Sequence, residues 1–238
     1  MAYRVEDIQA EVLRAYTVLC SARPGWSGAL IVNLNLGLGS KGSAISFAAN
    51  IAGAVCLSLE PDAALLRNAL RAGSCDFVVN TLDEALRVIK NEVRKRRPLS
   101  VGLEGDPATL LGEIMARGVA PELFTAPNAQ PKAAAYFRSL GAFTVSFEED
   151  ATPTAEVLTA ASVLEDFLST HAWQLRTFDF TTSAGLRAFD LRALTLIPAE
   201  DRLRHQWLVS AGRIFPRERR RALWLTEQEF HTLQTAPA

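Results

Sequence analysis

The sequence predicts an α/β chain: a Rossmann-like parallel sheet with helices on both faces, followed by a smaller α+β extension. Three observations lead to this. Short apolar runs alternate with amphipathic stretches from Ala29 to Phe147, as strands buried on both faces alternate with crossover helices. A glycine-rich turn, Gly37-Leu38-Gly39-Ser40-Lys41-Gly42, separates the first such run from a small-residue segment, Ser43–Gly53. The second run ends on an acid, Glu60, eighteen residues after Gly42. Strand, GxGxxG, helix, strand, acid is the order that a dinucleotide-binding unit requires.

The elements follow in order. Val5, Ile8, Val12, Ala15, Tyr16 and Leu19 have helical spacing across residues 3–21, and Pro24-Gly25 ends that helix. Strands are expected at Ala29–Leu34, Val55–Glu60, Asp76–Asn80, Leu99–Glu104, Glu122–Thr125 and Phe143–Phe147. Helices are expected between them at Ser43–Ile51, Asp62–Ala72, Leu82–Arg96, Pro107–Arg117 and Lys132–Leu140. Thr81 with Glu84 forms a capping box, and Asp106-Pro107 is an N-cap followed by proline at the first helical position. The run Glu148-Glu149-Asp150-Ala151-Thr152-Pro153 reads as a boundary. Beyond it, Thr154–Phe167 has helical character, Leu175–Phe180 and Ala188–Ile197 alternate like strands, and Ala199–Val209 returns to helix. A short strand at Ala222–Leu225 and a last helical segment at Glu227–Leu233 complete the chain. The expected organisation is an N-terminal helix (1–26), a Rossmann domain (27–149) and an α+β extension (150–238).

Composition narrows the function. The chain has 238 residues, 49% of them hydrophobic, enough for a sizeable core. A net charge of −1 argues against nucleic acid or an anionic membrane as the main partner. No apolar run approaches the roughly 20 residues that span a bilayer. The first residues lack a signal peptide's basic start and apolar centre. Cys20, Cys56 and Cys75 show no CxxC spacing, so a reducing cytoplasm is the expected location. His171, His205 and His231 have no metal-ligand spacing and no GxSxG elbow occurs, so the sequence names neither a metal site nor a catalytic residue.

The candidate site is therefore the glycine loop and its acid. Gly37 would allow the tight turn, Gly39 would let the backbone approach a pyrophosphate, and Gly42 would pack the helix against the sheet. Ser40 and Lys41 lie beside the phosphates, which the helix N-terminus attracts through free N–H groups and its dipole. Lys41 reads equally well as a solvated lysine at a helix start. Glu60 is placed to bind both ribose hydroxyls and to repel a 2′-phosphate, which favours NAD over NADP. Asp106 reads chiefly as an N-cap, with a ribose contact as the alternative. Asn128 falls in a turn that faces the crevice.

Three segments also carry a family likeness. Asn35–Ala44 with Ala48–Gly53, then Leu57–Asp62, and finally Thr81–Arg87, Leu99–Gly105 and Met115–Glu122 resemble the central NAD-binding domain of urocanase (urocanate hydratase). The likeness runs from Ala29 to Thr125. It implies a Rossmann-like fold and NAD, which urocanases use as an electrophile that adds to the urocanate imidazole. The departures fall on the chemistry. Where the family has glycine, methionine and Gln-Pro, this chain has Ser40, Lys41 and Ile45-Ser46. Leu65 replaces a cofactor-contacting arginine, and Asp106 an asparagine. The family's Gln-Thr-Ser-Ala-His run beside the nicotinamide is here Pro127-Asn128-Ala129-Gln130-Pro131.

Three readings follow. The first is an NAD-type dinucleotide-binding protein that has lost the urocanase reaction. The second is an enzyme on a small polar substrate, with catalytic groups supplied by the extension. The third is a degenerate Rossmann domain that serves as an interaction module. The expected partner is a dinucleotide or related small molecule, with a homodimer as a further option.

Overall fold

A computed structural model describes residues 8–34, 36, 41–126, 128–147 and 158–235. Among these residues the chain runs α1 (Ile8–Ala22), β1 (Leu30–Leu34), α2 (Lys41–Ala52), β2 (Val55–Glu60), α3 (Ala63–Ala72), β3 (Phe77–Val79) and α4 (Leu82–Lys95). It continues through β4 (Leu99–Glu104), α5 (Pro107–Ala116), β5 (Leu123–Phe124), α6 (Pro131–Ser139), β6 (Phe143–Ser146) and β7 (Leu158–Thr159). The C-terminal part is α7 (Ala160–His171), β8 (Gln174–Asp179), α8 (Ser183–Leu196), α9 (Arg202–Ile214), β9 (Arg220–Leu225) and α10 (Glu227–Thr235).

Seven strands form one parallel sheet in the order β3-β4-β2-β1-β5-β6-β7. The fold is α/β and Rossmann-like, with helices around this sheet and a small antiparallel pair, β8-β9, in the extension. From β1 the chain steps outward to β2 and the β4/β3 edge, then returns to the other side of β1 as β5. The strand order thus reverses between β1 and β5, and in open α/β sheets the crevice at such a reversal receives ligands.

Side-chain alternation divides the sheet into two faces. Leu30, Val32 and Leu34 join Val55, Leu57, Leu59, Val101 and Leu103 in a buried cluster with α4, α5 and α6. Ile31 and Cys56 point the other way, into a cluster shared with α1, α2, α9 and β9. On that second face the central strands carry small or polar residues, with Asn33 opposite Ser58 and Ser58 opposite Gly102. Such small side chains leave room for α2, whose own face is built from Gly42, Ser43, Ser46 and Ala49, all buried. A Cβ at Gly102 would lie 2.6 Å from Leu66 Cδ2 of α3, so helix and strand meet there without space for alanine.

The caps at Thr81 and Asp106 stand where the sequence places them, accepting the Glu84 and Thr109 N–H groups. Asp62, read as the first residue of its helix, is a further cap that accepts the Ala64 N–H. Two readings of the extension are corrected. Ala188–Ile197 lies almost wholly in α8, not in a strand: its buried residues Leu186, Phe189 and Ala193 recur at helical spacing, and Thr182 caps the N-terminus by accepting the Gly185 N–H. Within the stretch read as helix from Thr154, Leu158–Thr159 forms the edge strand β7 and the helix starts at Ala160. Residues 154–157 and the boundary run Glu148–Pro153 lie outside the described residues.

Helix α1 packs on both α2 and β9. Trp224 Nε1 of β9 donates to Thr17 Oγ1 at 2.8 Å, and Arg221 Nη1 donates to Gln9 Oε1 at 3.2 Å. Arg221 is fully buried, and Asp190 of α8 receives its Nε and Nη2, each at 2.8 Å. Arg204 forms a second clamp, donating to Asp201 and Glu229 while its guanidinium lies over Trp173.

Candidate nucleotide site at the reversal of strand order

The C-terminal ends of β1, β2, β4 and β5 and the start of α2 converge on the crevice. Gly37, Gly39 and Ser40, which the sequence assigns to the phosphates, lie outside the described residues. The flanking residues define where their loop begins and ends. Lys41 and Gly42 open α2, with Lys41 half-buried and Gly42 buried. The Gly42 carbonyl accepts Asn33 Nδ2 of β1 at 2.9 Å. Asn33 is fully buried, also donates to Ser58 Oγ at 3.1 Å, and accepts Thr125 Oγ1 at 2.9 Å. One amide therefore ties the first turn of α2 to β1, to β2 and to the residue following β5, across the reversal itself.

Glu60 ends β2 and is 3% exposed. Its Oε2 accepts the Leu36 N–H at 2.9 Å and its Oε1 the Asp62 N–H at 3.0 Å. Leu36 is held a second time through its carbonyl, which accepts Ser43 Oγ of α2 at 3.0 Å. Its side chain fills a small cluster with Leu66, Ala69 and Cys75. The carboxylate thus fixes the exit of β1 and the entry to α3, with one N–H on each oxygen out of an acceptor capacity of about four sites.

Acids surround it. Glu104 lies in register with Glu60 on the adjacent strand, Asp62 follows two residues on, and Asp106 caps α5. Asp106 Oδ2 accepts both the hydroxyl of Thr109, at 2.7 Å, and its N–H, at 2.8 Å. These bonds hold its carboxyl below the ordinary range. Between Glu104 and Asp106, Gly105 adopts φ +150°, a conformation glycine favours, and its N–H donates to the Glu60 carbonyl.

Asn128 lies past β5 and donates to Ser146 Oγ at the end of β6, at 3.2 Å. Pro127 is outside the described residues. The three cysteines are free thiols, and burial pushes Cys20 and Cys56 up to about 11 and Cys75 up to about 12. Among the described residues no group of His, Cys, Asp and Glu is arranged to hold a metal ion, and no helix is long and apolar enough to cross a membrane.

Asn33 and Thr125 were not singled out in the sequence. The available signal was an amide inside the run Leu30-Ile31-Val32-Asn33-Leu34, immediately before the glycine loop. Its partners, at positions 58 and 125, are too distant for spacing to reveal.

The sheet order and its reversal between β1 and β5 define a Rossmann-like fold, of the class that binds dinucleotides. The urocanase Rossmann-like domain family matches residues 17–146, more than half of the 238, and the chain belongs to that family. Among solved structures it is similar to a cyclopropane-fatty-acyl-phospholipid synthase-like protein from Lactobacillus casei ATCC 334. That likeness has 14% identity and a TM-score of 0.30, covers 94% of this chain and 92% of the other, and says nothing about function.

Proposed function

We propose that this chain binds NAD, or a closely related dinucleotide, at the β1/β5 reversal and does not hydrate urocanate. The observation that carries the reading is that Glu60 at the end of β2 and Ser43 in the first turn of α2 both hold Leu36 at the exit of β1, in a chain of this family. The residues fit the group. The first turn of α2 is anchored through Gly42, and two N–H donors among the described residues fix Glu60, whose carboxylate would accept from ribose hydroxyls. Gly37, Gly39, Ser40 and Lys41 would serve the pyrophosphate, Glu60 the ribose nearest β2, and Asp106 that ribose's outer edge. Glu104 and Asp62 beside Glu60 favour NAD over NADP, because a 2′-phosphate would meet like charge there.

When bound, NAD would supply an electrophilic nicotinamide. The loss of the parent reaction rests on the loop after β5. Pro127-Asn128-Ala129-Gln130-Pro131 contains no titratable side chain, and Asn128 is engaged with Ser146. General acid–base help, typically worth 10²–10⁴-fold, has no donor in that loop. The test is extraction of the purified, denatured protein for a released dinucleotide, followed by calorimetric titration of the emptied protein with NAD. Absence of both bound dinucleotide and measurable affinity would favour an interaction module instead.

A further inference from the structure

A groove of about 920 Å³ opens beside the N-terminus of α2, and nothing in the nucleotide reading uses it. Its walls come from α1, the first turns of α2, the α7–β8 segment of the extension and Trp224 of β9, closed by Phe147 after β6. Val18, Leu164, Leu168 and Trp173 give it an apolar interior, with Lys41 and Ala44 forming the side next to the glycine loop. The size falls within the range of small-molecule sites, roughly 300–1,000 Å³, which combine apolar walls with a few polar groups.

Among the described residues of the lining the formal charges balance. Arg14 and Glu11 are both on α1 and pair with each other at 2.9 Å, while Lys41 on α2 and Glu165 on α7 supply one further charge of each sign. A strongly anionic or cationic ligand gains from one and is opposed by the other. A neutral molecule loses little hydration and gains the whole apolar wall.

We infer that this groove receives an uncharged, apolar small molecule and forms the substrate side of the nucleotide site. The inference rests on the dinucleotide reading for its second half, because Lys41 belongs both to the glycine motif and to the groove wall. It also gives the extension a role: α7 and β8 supply walls that the Rossmann domain does not contain.

The test uses 1-aminoanthracene, a neutral fluorescent probe, titrated into the full chain without nucleotide and read by its own emission. Saturable single-site binding is expected, at least tenfold tighter than that of the anionic 1-anilinonaphthalene-8-sulfonate. Leu164→Trp, which fills the groove, should weaken the probe at least tenfold with unchanged circular dichroism. Should that variant misfold, Ala161→Trp, at an exposed position on the same wall, serves in its place. Absence of saturable binding, tighter binding of the anionic probe, or full affinity in a folded filled variant overturns the groove assignment. Adding NAD should change the probe's affinity at least threefold. If NAD binds and the probe is indifferent to it, the groove is not the substrate side. If NAD does not bind while the probe does, the nucleotide reading fails and the groove remains a separate binding site.

Discussion

Glu60 Oε2 accepts the Leu36 N–H at 2.9 Å, so the acid offered to a ribose is also the group that fixes the chain leaving β1. Glu60→Gln retains the shape but places an amide NH₂ against either the Leu36 or the Asp62 N–H. We expect a stability loss of about 1–3 kcal/mol in urea unfolding. The native protein should prefer NAD to NADP by about 1–3 kcal/mol in calorimetric titration, and the variant should lose most of that preference. A variant with native stability and native preference would remove Glu60 from both roles.

Asn33 offers a sharper test of how the helix start is held. Asn33→Leu leaves the Gly42 carbonyl and the hydroxyls of Ser58 and Thr125 without this partner in a buried setting. The expected cost is about 2–4 kcal/mol. Dinucleotide affinity, measured well below the unfolding temperature, should fall at least about tenfold as the first turn of α2 shifts. Native affinity in the folded variant would show that the amide only stabilises the sheet.

In the extension, Asp190→Ala should be the more damaging half of its pair. It leaves the fully buried Arg221 guanidinium with Gln9 as its remaining side-chain partner, at a cost of about 3–5 kcal/mol. Combining Asp190→Ala with Arg221→Met should recover part of that loss, because no uncompensated charge remains. Equal thermal midpoints for the single and double variants would contradict this account.

Stability should also fall in acid through Glu229. Burial alone would raise its carboxyl, but hydrogen bonds from Arg204 and from the Thr226 N–H outweigh that and hold it below its ordinary value of 4.5. A carboxyl lowered in the folded state stabilises the protein above its unfolded value, and that contribution disappears as pH falls through the folded value. Urea midpoints measured downward from about pH 6 should therefore decline below about 4.5, and less steeply in Glu229→Gln. Parallel pH profiles for the two proteins would refute the linkage.

With NAD supplied, urocanate's ultraviolet absorbance should stay constant in the presence of this protein. Turnover at about one per second, the lower end of typical enzyme rates, would mean that the extension had rebuilt an acid–base site.

The strands β2 and β4 have the same limits in sequence and structure, Val55–Glu60 and Leu99–Glu104. Both set large apolar residues on one face against small ones on the other and are bounded by turn residues, as suits central strands covered on both sides. The caps at Thr81 and Asp106 were equally legible because capping is local chemistry within three residues. Over Ala188–Ile197, alternation at Phe189, Leu191 and Ala193 fits a strand, while Leu186, Phe189 and Ala193 fit a helix. Leu191 decides for the helix, standing 67% exposed on its outer side. The Asn33 network and the groove were illegible for another reason. Each assembles side chains from distant segments, and no periodicity records which segments meet.

The contact between Gln9 and Arg221 spans 212 positions. Synthesis delivers α1 early and β9 last but one among the described elements, and at about 5–20 residues per second the wait is roughly 10–40 s. Throughout that interval the face of α1 that will meet Trp224 lacks its partner strand, although α1 can already pack on α2 and the parallel sheet can form. Helix α1 is therefore secured in two stages, against α2 early and against β9 late, and the growing chain carries an open apolar surface until β9 arrives. Protease protection of α1 on ribosome-bound chains of increasing length should rise in a second step once Leu225 has cleared the exit tunnel.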